Sequence, residues 1–200
     1  CYKTGYRDEM FDVTLPHDAM LLDAKSGSSS GGVNTGWIEA KDYTYEKTFF
    51  VPQEWEELCP ILEFEGVYHR ATIFVNGQKA KYQHNGYLGF FVPLAPFLKH
   101  GEENTIKVEV INHDQPNGRW YSGTGIYRPV WLHLLGREHI LPDGIKITTL
   151  DYKEPKINVE VATEGTGNIQ VEIVEGENSI ACRHGTSDGS YKAEIPLSGA

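Results

Sequence analysis

Asn112-His113-Asp114-Gln115-Pro116-Asn117-Gly118-Arg119-Trp120-Tyr121-Ser122-Gly123-Thr124-Gly125-Ile126-Tyr127-Arg128-Pro129-Val130-Trp131-Leu132 is the stretch on which the reading of this chain turns. A β-rich run ends at Ile111, a polar loop carries Asp114 and Arg119, an aromatic pair follows, and two glycines precede another strand. Sites that hold sugars combine flat aromatic faces for the C–H side of the ring with charged or amide groups for its hydroxyls, on loops carried by a rigid scaffold. Asn112, Asp114, Arg119 and Trp120 supply that inventory as substrate-binding candidates, with Tyr121 beside them. Gly123 and Gly125 allow a sharp turn or a close backbone approach. The competing reading is structural: Trp120 and Tyr121 pack a barrel end, and Arg128 and Asp114 make ordinary surface pairs.

Upstream of this stretch the pattern is β throughout. Residues 43–51 are rich in aromatic and β-branched types and stop at Pro52; residues 53–57 read as a polar turn or short helix. Strands are expected over 61–67 and 71–75, the latter turned back by Asn76-Gly77 into a partner over 79–83. Asn-Gly is a strong hairpin signal because both central residues of a type I′ turn need positive φ, so Asn76 belongs to a turn and not to a site. Residues 94–99 allow one helical turn, and the strict alternation over 106–111 predicts a strand with one wet face. Leu15-Pro16-His17-Asp18 predicts a rigid extended corner. Its His and Asp should point to opposite faces, leaving Asp18 to bond nearby amides. Residues 2–14 read as irregular with one short strand over 11–14, and the Ser/Gly run 26–36 as a mobile surface loop closed by Trp37.

Downstream, residues 130–135 read as a closing strand with Val130, Leu132 and Leu134 on one face, and 136–142 as a boundary. Five further strands are expected at 145–150, 157–162, 169–174, 179–183 and 191–195; their spacing suits an immunoglobulin-like sandwich, which needs about seven. The expected organisation is therefore all-β: a galactose-binding-like jelly-roll β-sandwich over 1–137, then an incomplete immunoglobulin-like β-sandwich over 138–200.

The 200 residues carry a net charge of −10, which argues against nucleic acid or an anionic membrane as partner. No run of about eighteen apolar residues marks a membrane span. Three cysteines without metal-type spacing exclude a zinc site and a disulfide framework as expectations. The chain starts with Cys1 and has no signal-peptide pattern, which suggests an internal cut in a longer polypeptide and leaves localisation open.

The run from Arg119 to Leu132 resembles the signature that closes the N-terminal sugar-binding domain of glycoside hydrolase family 2, which includes β-galactosidases, β-glucuronidases and β-mannosidases. Leu15-Pro16-His17-Asp18, Phe64-Glu65-Gly66-Val67, Val75-Asn76-Gly77 and His84-Asn85-Gly86-Tyr87 with Phe90 or Phe91 agree with it in order. The resemblance implies a retaining glycosidase, β-galactosidase-like, acting on a β-glycoside or oligosaccharide. Its acid/base and nucleophile glutamates, about 5 Å apart, would lie in a downstream (β/α)₈ barrel of about 250 residues, so no catalytic residue is expected here. It also implies that the loop over 112–120 reaches toward the pocket in that barrel, with Asp114 touching a sugar hydroxyl and a sodium ion. Arg119 and Trp120 would shape the wall while Arg128 pins the turn. Sodium or magnesium would belong to the full-length enzyme, which is open to forming a homo-oligomer. Two further readings stay open: a freestanding carbohydrate-binding module, and a purely structural scaffold domain.

Overall fold

A computed structural model describes residues 2–6, 9–39 and 41–197. The chain separates into two compact units, Cys1–Leu134 and Leu135–Ala200.

In the first unit β1 (Tyr2–Tyr6), β2 (Glu9–Val13), β3 (Tyr43–Val51), β5 (Ala71–Val75), β6 (Gln78–Gln83) and β8 (Glu102–Val110) form a sheet in the order β2-β1-β3-β8-β5-β6. A second sheet has the order β7-β4-β9, from β4 (Cys59–Phe64), β7 (Phe90–Pro93) and β9 (Val130–Leu135). Alternation decides which side chains face inward. Tyr43 and Tyr45 on β3, Ile73 and Val75 on β5, and Ile106, Val108 and Val110 on β8 share one core with Leu62 and Phe64 on β4 and Phe90 and Val92 on β7. Phe64 and Phe90 stack at 5.0 Å within it. Burying each such side chain contributes about 1.5–3 kcal/mol, and the shared cluster makes the two sheets a sandwich.

The Asn76-Gly77 turn has φ of 49° and 77° at its two central residues and joins Val75 to Gln78, the geometry the sequence demands. Asn76 also braces the neighbouring loop, donating from Nδ2 to Phe97 O (2.9 Å) and accepting from Thr105 N (3.0 Å).

Three expectations change. Residues 2–6 and 9–13 are not irregular: β1 and β2 pair antiparallel, and β1 adds to the edge of β3. The reason is that strand formation depends on the neighbours a segment packs against more than on its own residue pattern. The Ser/Gly run is compact: a 3-10 turn spans Gly32–Thr35, and the buried Ser29 and Thr35 hydroxyls both donate to Ile38 O, at 3.0 and 2.7 Å. Residues 94–97 form a hydrogen-bonded turn instead of a helical one, closed by Phe97 N on Leu94 O at 2.9 Å.

The second unit is a three-stranded antiparallel sheet of β10 (His139–Asp151), β11 (Lys156–Glu175) and β12 (Asn178–Pro196). Five expected strands are thus three. The polar stretches that read as turns pair with each other: Thr166 lies opposite Asp188, Gly167 opposite Ser187 and Asn168 opposite Thr186. The buried Thr163 and Ser187 hydroxyls bond at 2.5 Å. A register shift between Ala162 and Thr166 breaks β11 into two halves. Val159 and Val161 from one half and Ile169, Val171 and Ile173 from the other join the same apolar cluster. They line an open groove of about 430 Å³ with Ile140, Ile145 and Ile147.

Candidate functional site

Three loops meet at one end of the first sandwich: 65–70 between β4 and β5, 84–89 between β6 and β7, and 111–129 between β8 and β9. Backbone holds the first to the third, since Tyr68 N donates to Gly125 O (2.9 Å) and Gly125 N to Tyr68 O (2.8 Å). Gly125 has φ of 121°, and a Cβ there would lie 2.1 Å from the Tyr45 hydroxyl, so only glycine fits. Tyr127 donates to Gly86 O at 2.8 Å, and Arg128 donates from Nη1 to Tyr87 O (3.2 Å) and Glu65 O (3.4 Å). Arg128 pins the turn through carbonyls, the role read from sequence.

The N-terminal corner locks the same loop from beneath. Asp18 Oδ1 accepts from Met20 N (3.1 Å) and Thr124 N (3.0 Å), and Oδ2 accepts from the Tyr121 hydroxyl (2.7 Å). Burial and that carboxylate push the Tyr121 phenol well above its usual range, so it stays a neutral donor. His17 turns the other way, with Nδ1 2.9 Å from the Tyr45 hydroxyl. Burial depresses its pKa despite the attraction of Asp18.

Of the residues singled out in the sequence, Asn112 is placed differently from expectation. It is fully buried, and its amide is spent inside the loop. Nδ2 donates to Gly123 O (3.1 Å) and Thr124 Oγ1 (2.5 Å), while Oδ1 accepts from Gln115 Nε2 (3.0 Å) and Asn117 Nδ2 (2.7 Å). A side chain so saturated does not face a ligand. It shapes the loop that does.

Asp114 is 63% exposed. Its Oδ2 accepts from Arg70 Nη2 at 2.9 Å and its Oδ1 lies 3.2 Å from His113 Nε2. The Arg70 hydrogen bond holds its carboxyl below the usual range, with the charge of His113 assisting. His113 Nδ1 in turn lies 2.7 Å from Asp42 Oδ2, and Asp42 Oδ1 accepts from the backbone N–H of Asn112 (2.8 Å) and His113 (3.1 Å). Trp120 is 61% exposed, with Nε1 tied to the Tyr87 hydroxyl at 3.0 Å. Tyr87 packs edge-on against Tyr68 at 5.3 Å, and the Tyr68 hydroxyl donates to Asn117 Oδ1 at 3.0 Å. Arg119 is exposed and has no hydrogen-bond partner among the described residues. One connected network therefore carries Asp114 and Trp120 at an exposed surface. Arg70, Asp42, His113, Tyr68 and Tyr87 are its unforeseen members. His113 and Tyr87 stood in quoted stretches without a role; Asp42, Tyr68 and Arg70 did not, because they join the network from segments far apart in the chain.

A sodium ion at Asp114 fits this arrangement poorly. Hard cations take several oxygen ligands, whereas Asp114 faces a guanidinium and an imidazole. Among the described residues no three His, Cys, Asp or Glu side chains converge on a metal-sized space. Cys59 and Cys182 are free thiols, and Cys1 lies outside the described residues. Glu63 and Glu65, the carboxylates that share a face near β4, are both engaged: Glu63 Oε2 lies 2.7 Å from His133 Nε2 and Glu65 Oε1 accepts from Trp131 Nε1 at 2.7 Å.

The sugar binding domain of glycosyl hydrolases family 2 matches residues 34–135, which takes in β3 to β9 and all three loops. This chain belongs to glycoside hydrolase family 2. The beta-galactosidase BoGH2A of Bacteroides ovatus is 36% identical over 160 residues, 80% of this chain and 19% of that protein. A putative beta-glucuronidase of Formosa agariphila is 26% identical over 190 residues, 92% of this chain and 18% of that protein. The family 2 chain thus spans about a fifth of the length of these curated relatives. Among solved structures, a family 2 member from Bacteroides cellulosilyticus superposes with a TM-score of 0.81 at 20% identity, covering 97% of this chain and 29% of that one. A putative beta-galactosidase from Bacteroides fragilis gives 0.81 at 23% identity, covering 98% and 34%. These likenesses fix the family 2 fold.

Proposed function

We propose that this chain is the non-catalytic, sugar-handling N-terminal part of a retaining β-glycosidase, β-galactosidase-like in substrate class, which supports a downstream (β/α)₈ barrel and lends that barrel's pocket the loop over 112–120. The observation that carries the reading is the exposed pairing of Asp114 and Trp120 on one braced network. Each carboxylate oxygen offers two lone pairs. Arg70 donates to Oδ2 and His113 Nε2 lies 3.2 Å from Oδ1, which leaves lone pairs on the carboxylate to accept sugar hydroxyls. An ionised Asp114 is the right acceptor, and the Arg70 hydrogen bond keeps it so. Tethering of the indole N–H fixes the Trp120 ring before any sugar arrives, which lowers the ordering cost of binding. Proton transfer and glycosyl transfer belong to the two barrel glutamates, for which Glu63 and Glu65 are unsuited because each already holds a structural partner. That β-galactosides rather than glucuronides are the substrates rests on the Arg-Trp-Tyr-Ser-Gly form of the motif and on the similarity to BoGH2A.

The test is Asp114→Ala in the full-length parent enzyme. We expect turnover on a β-galactoside to fall more than about tenfold, the scale at which a lost pocket contact is felt, with unchanged melting. Unchanged turnover would instead favour a scaffold role. Titration of this 200-residue chain with galactose should show no measurable affinity; tight binding would favour a freestanding module.

A further inference from the structure

We propose that Arg70 is the positioning residue for Asp114 and occupies the place beside that carboxylate that an alkali cation would otherwise take, so that the parent glycosidase works independently of sodium. The proposal rests on the reading of Asp114 as a sugar contact. Arg70 immediately precedes β5, whose first residue Ala71 pairs with Val110 at the end of β8, and Asp114 lies four residues past Val110. The guanidinium therefore bridges the ends of two adjacent strands. Its side chain is 24% exposed against 63% for Asp114, so the cation is embedded and the carboxylate it holds is presented outward.

Stability does not account for this arginine. An exposed ion pair adds little, yet Arg70 has φ of 49°, which a non-glycine residue adopts at a cost, and its Nε is buried with no partner among the described residues. A strained backbone and an orphaned donor at one residue are features that function tends to maintain. The fork also does what a metal cannot do here. It supplies a directional donor to one oxygen of Asp114 and leaves the remaining lone pairs free. A sodium ion on the same oxygen would lie against this fixed positive charge, and among the described residues no three His, Cys, Asp or Glu side chains converge to hold one.

The test uses the full-length enzyme. Arg70→Gln should lower kcat/KM about tenfold or more, because a displaced contact group is costly in the transition state, while the melting temperature holds. In an Asp114→Asn background the same change should add nothing, since the two act as a unit. Arg70→Lys, which keeps charge without the fork, should fall between and covers the case in which the Gln variant does not fold. Turnover should agree within about twofold between sodium chloride and choline chloride at equal ionic strength, and the sodium NMR line should not broaden on adding the full-length enzyme. Strong sodium activation, line broadening abolished by Asp114→Asn, or wild-type kinetics in Arg70→Gln would each overturn the proposal. If Asp114→Ala loses turnover while Arg70→Gln does not, only this inference fails. If Asp114→Ala is neutral, the pocket reading fails and the sodium line still reports on the counter-charge.

Discussion

Asn112 and Asp114 stand two positions apart and do opposite things. From sequence they look alike, two polar groups at the head of a loop. What separates them is whether partners exist at 115, 117, 123 and 124, and loop geometry of that kind has no periodicity to read. Asn112→Ala should strand at least one buried group in the loop and destabilise the first unit by about 1–3 kcal/mol, measured by urea unfolding. Turnover of the parent should fall with it, since Asp114 rides on the same loop. Asp18→Ala removes acceptors from Met20 N, Thr124 N and the Tyr121 hydroxyl, and should cost on the order of 1–2 kcal/mol. The corner role of Asp18 was legible because an aspartate in a turn bonds backbone amides two residues on. Its partner at Thr124 was not.

His69 gives a pH dependence at the same scale. Burial first, then the charge of Arg70, lower its pKa from 6.5 to about 4. The unfolded chain therefore binds the proton that the folded chain refuses, and stability falls as pH drops through the window from about 6.5 to about 4. Half-burial screens the effect, leaving about 1–2 kcal/mol. Thermal melts across that window should lose this slope in His69→Gln. A slope unchanged by the substitution would contradict the assignment.

At the level of elements, the strongest local signals translated directly. Tyr43–Val51 and Ala71–Val75 begin and end where the residue pattern said, because β-branched runs bounded by Pro or Asn-Gly leave little choice. Gly77→Ala should cost about 1–2 kcal/mol, since φ there is 77° and the space around a new Cβ is empty, so the penalty is backbone alone. Chemical unfolding of the variant checks it. The second unit misled the same reasoning. Thr163 to Asn168 and His184 to Ser190 carry the Gly, Ser, Asp and Asn that mark turns, yet most of them pair across the sheet, with the Thr163 and Ser187 hydroxyls bonded to each other inside it. Turn residues mark a turn only when no partner strand lies opposite.

Across the whole molecule, the two units bury their apolar side chains in different ways. The first closes its core between two sheets. The second leaves Ile147 62% exposed and Ile145 56% exposed beside an open groove. Patches of that kind bind hydrophobic dyes. The native chain should enhance dye fluorescence, and Ile147→Ser should weaken that signal with little change in stability. The all-β class was readable from strand spacing throughout. The shared loop network was not, because it depends on which loops the topology gathers at one end.

The Asp18 carboxylate waits on an amide 106 positions later. His17 N and Ala19 N likewise reach their acceptors only at Ile126 and Thr124. A nascent polypeptide leaving the ribosome must carry this corner without its long-range partners until the aromatic loop has emerged. Distant closures of this sort slow folding, so the corner should be among the last parts to gain protection in hydrogen exchange during refolding, and the sugar-facing loop would mature with it.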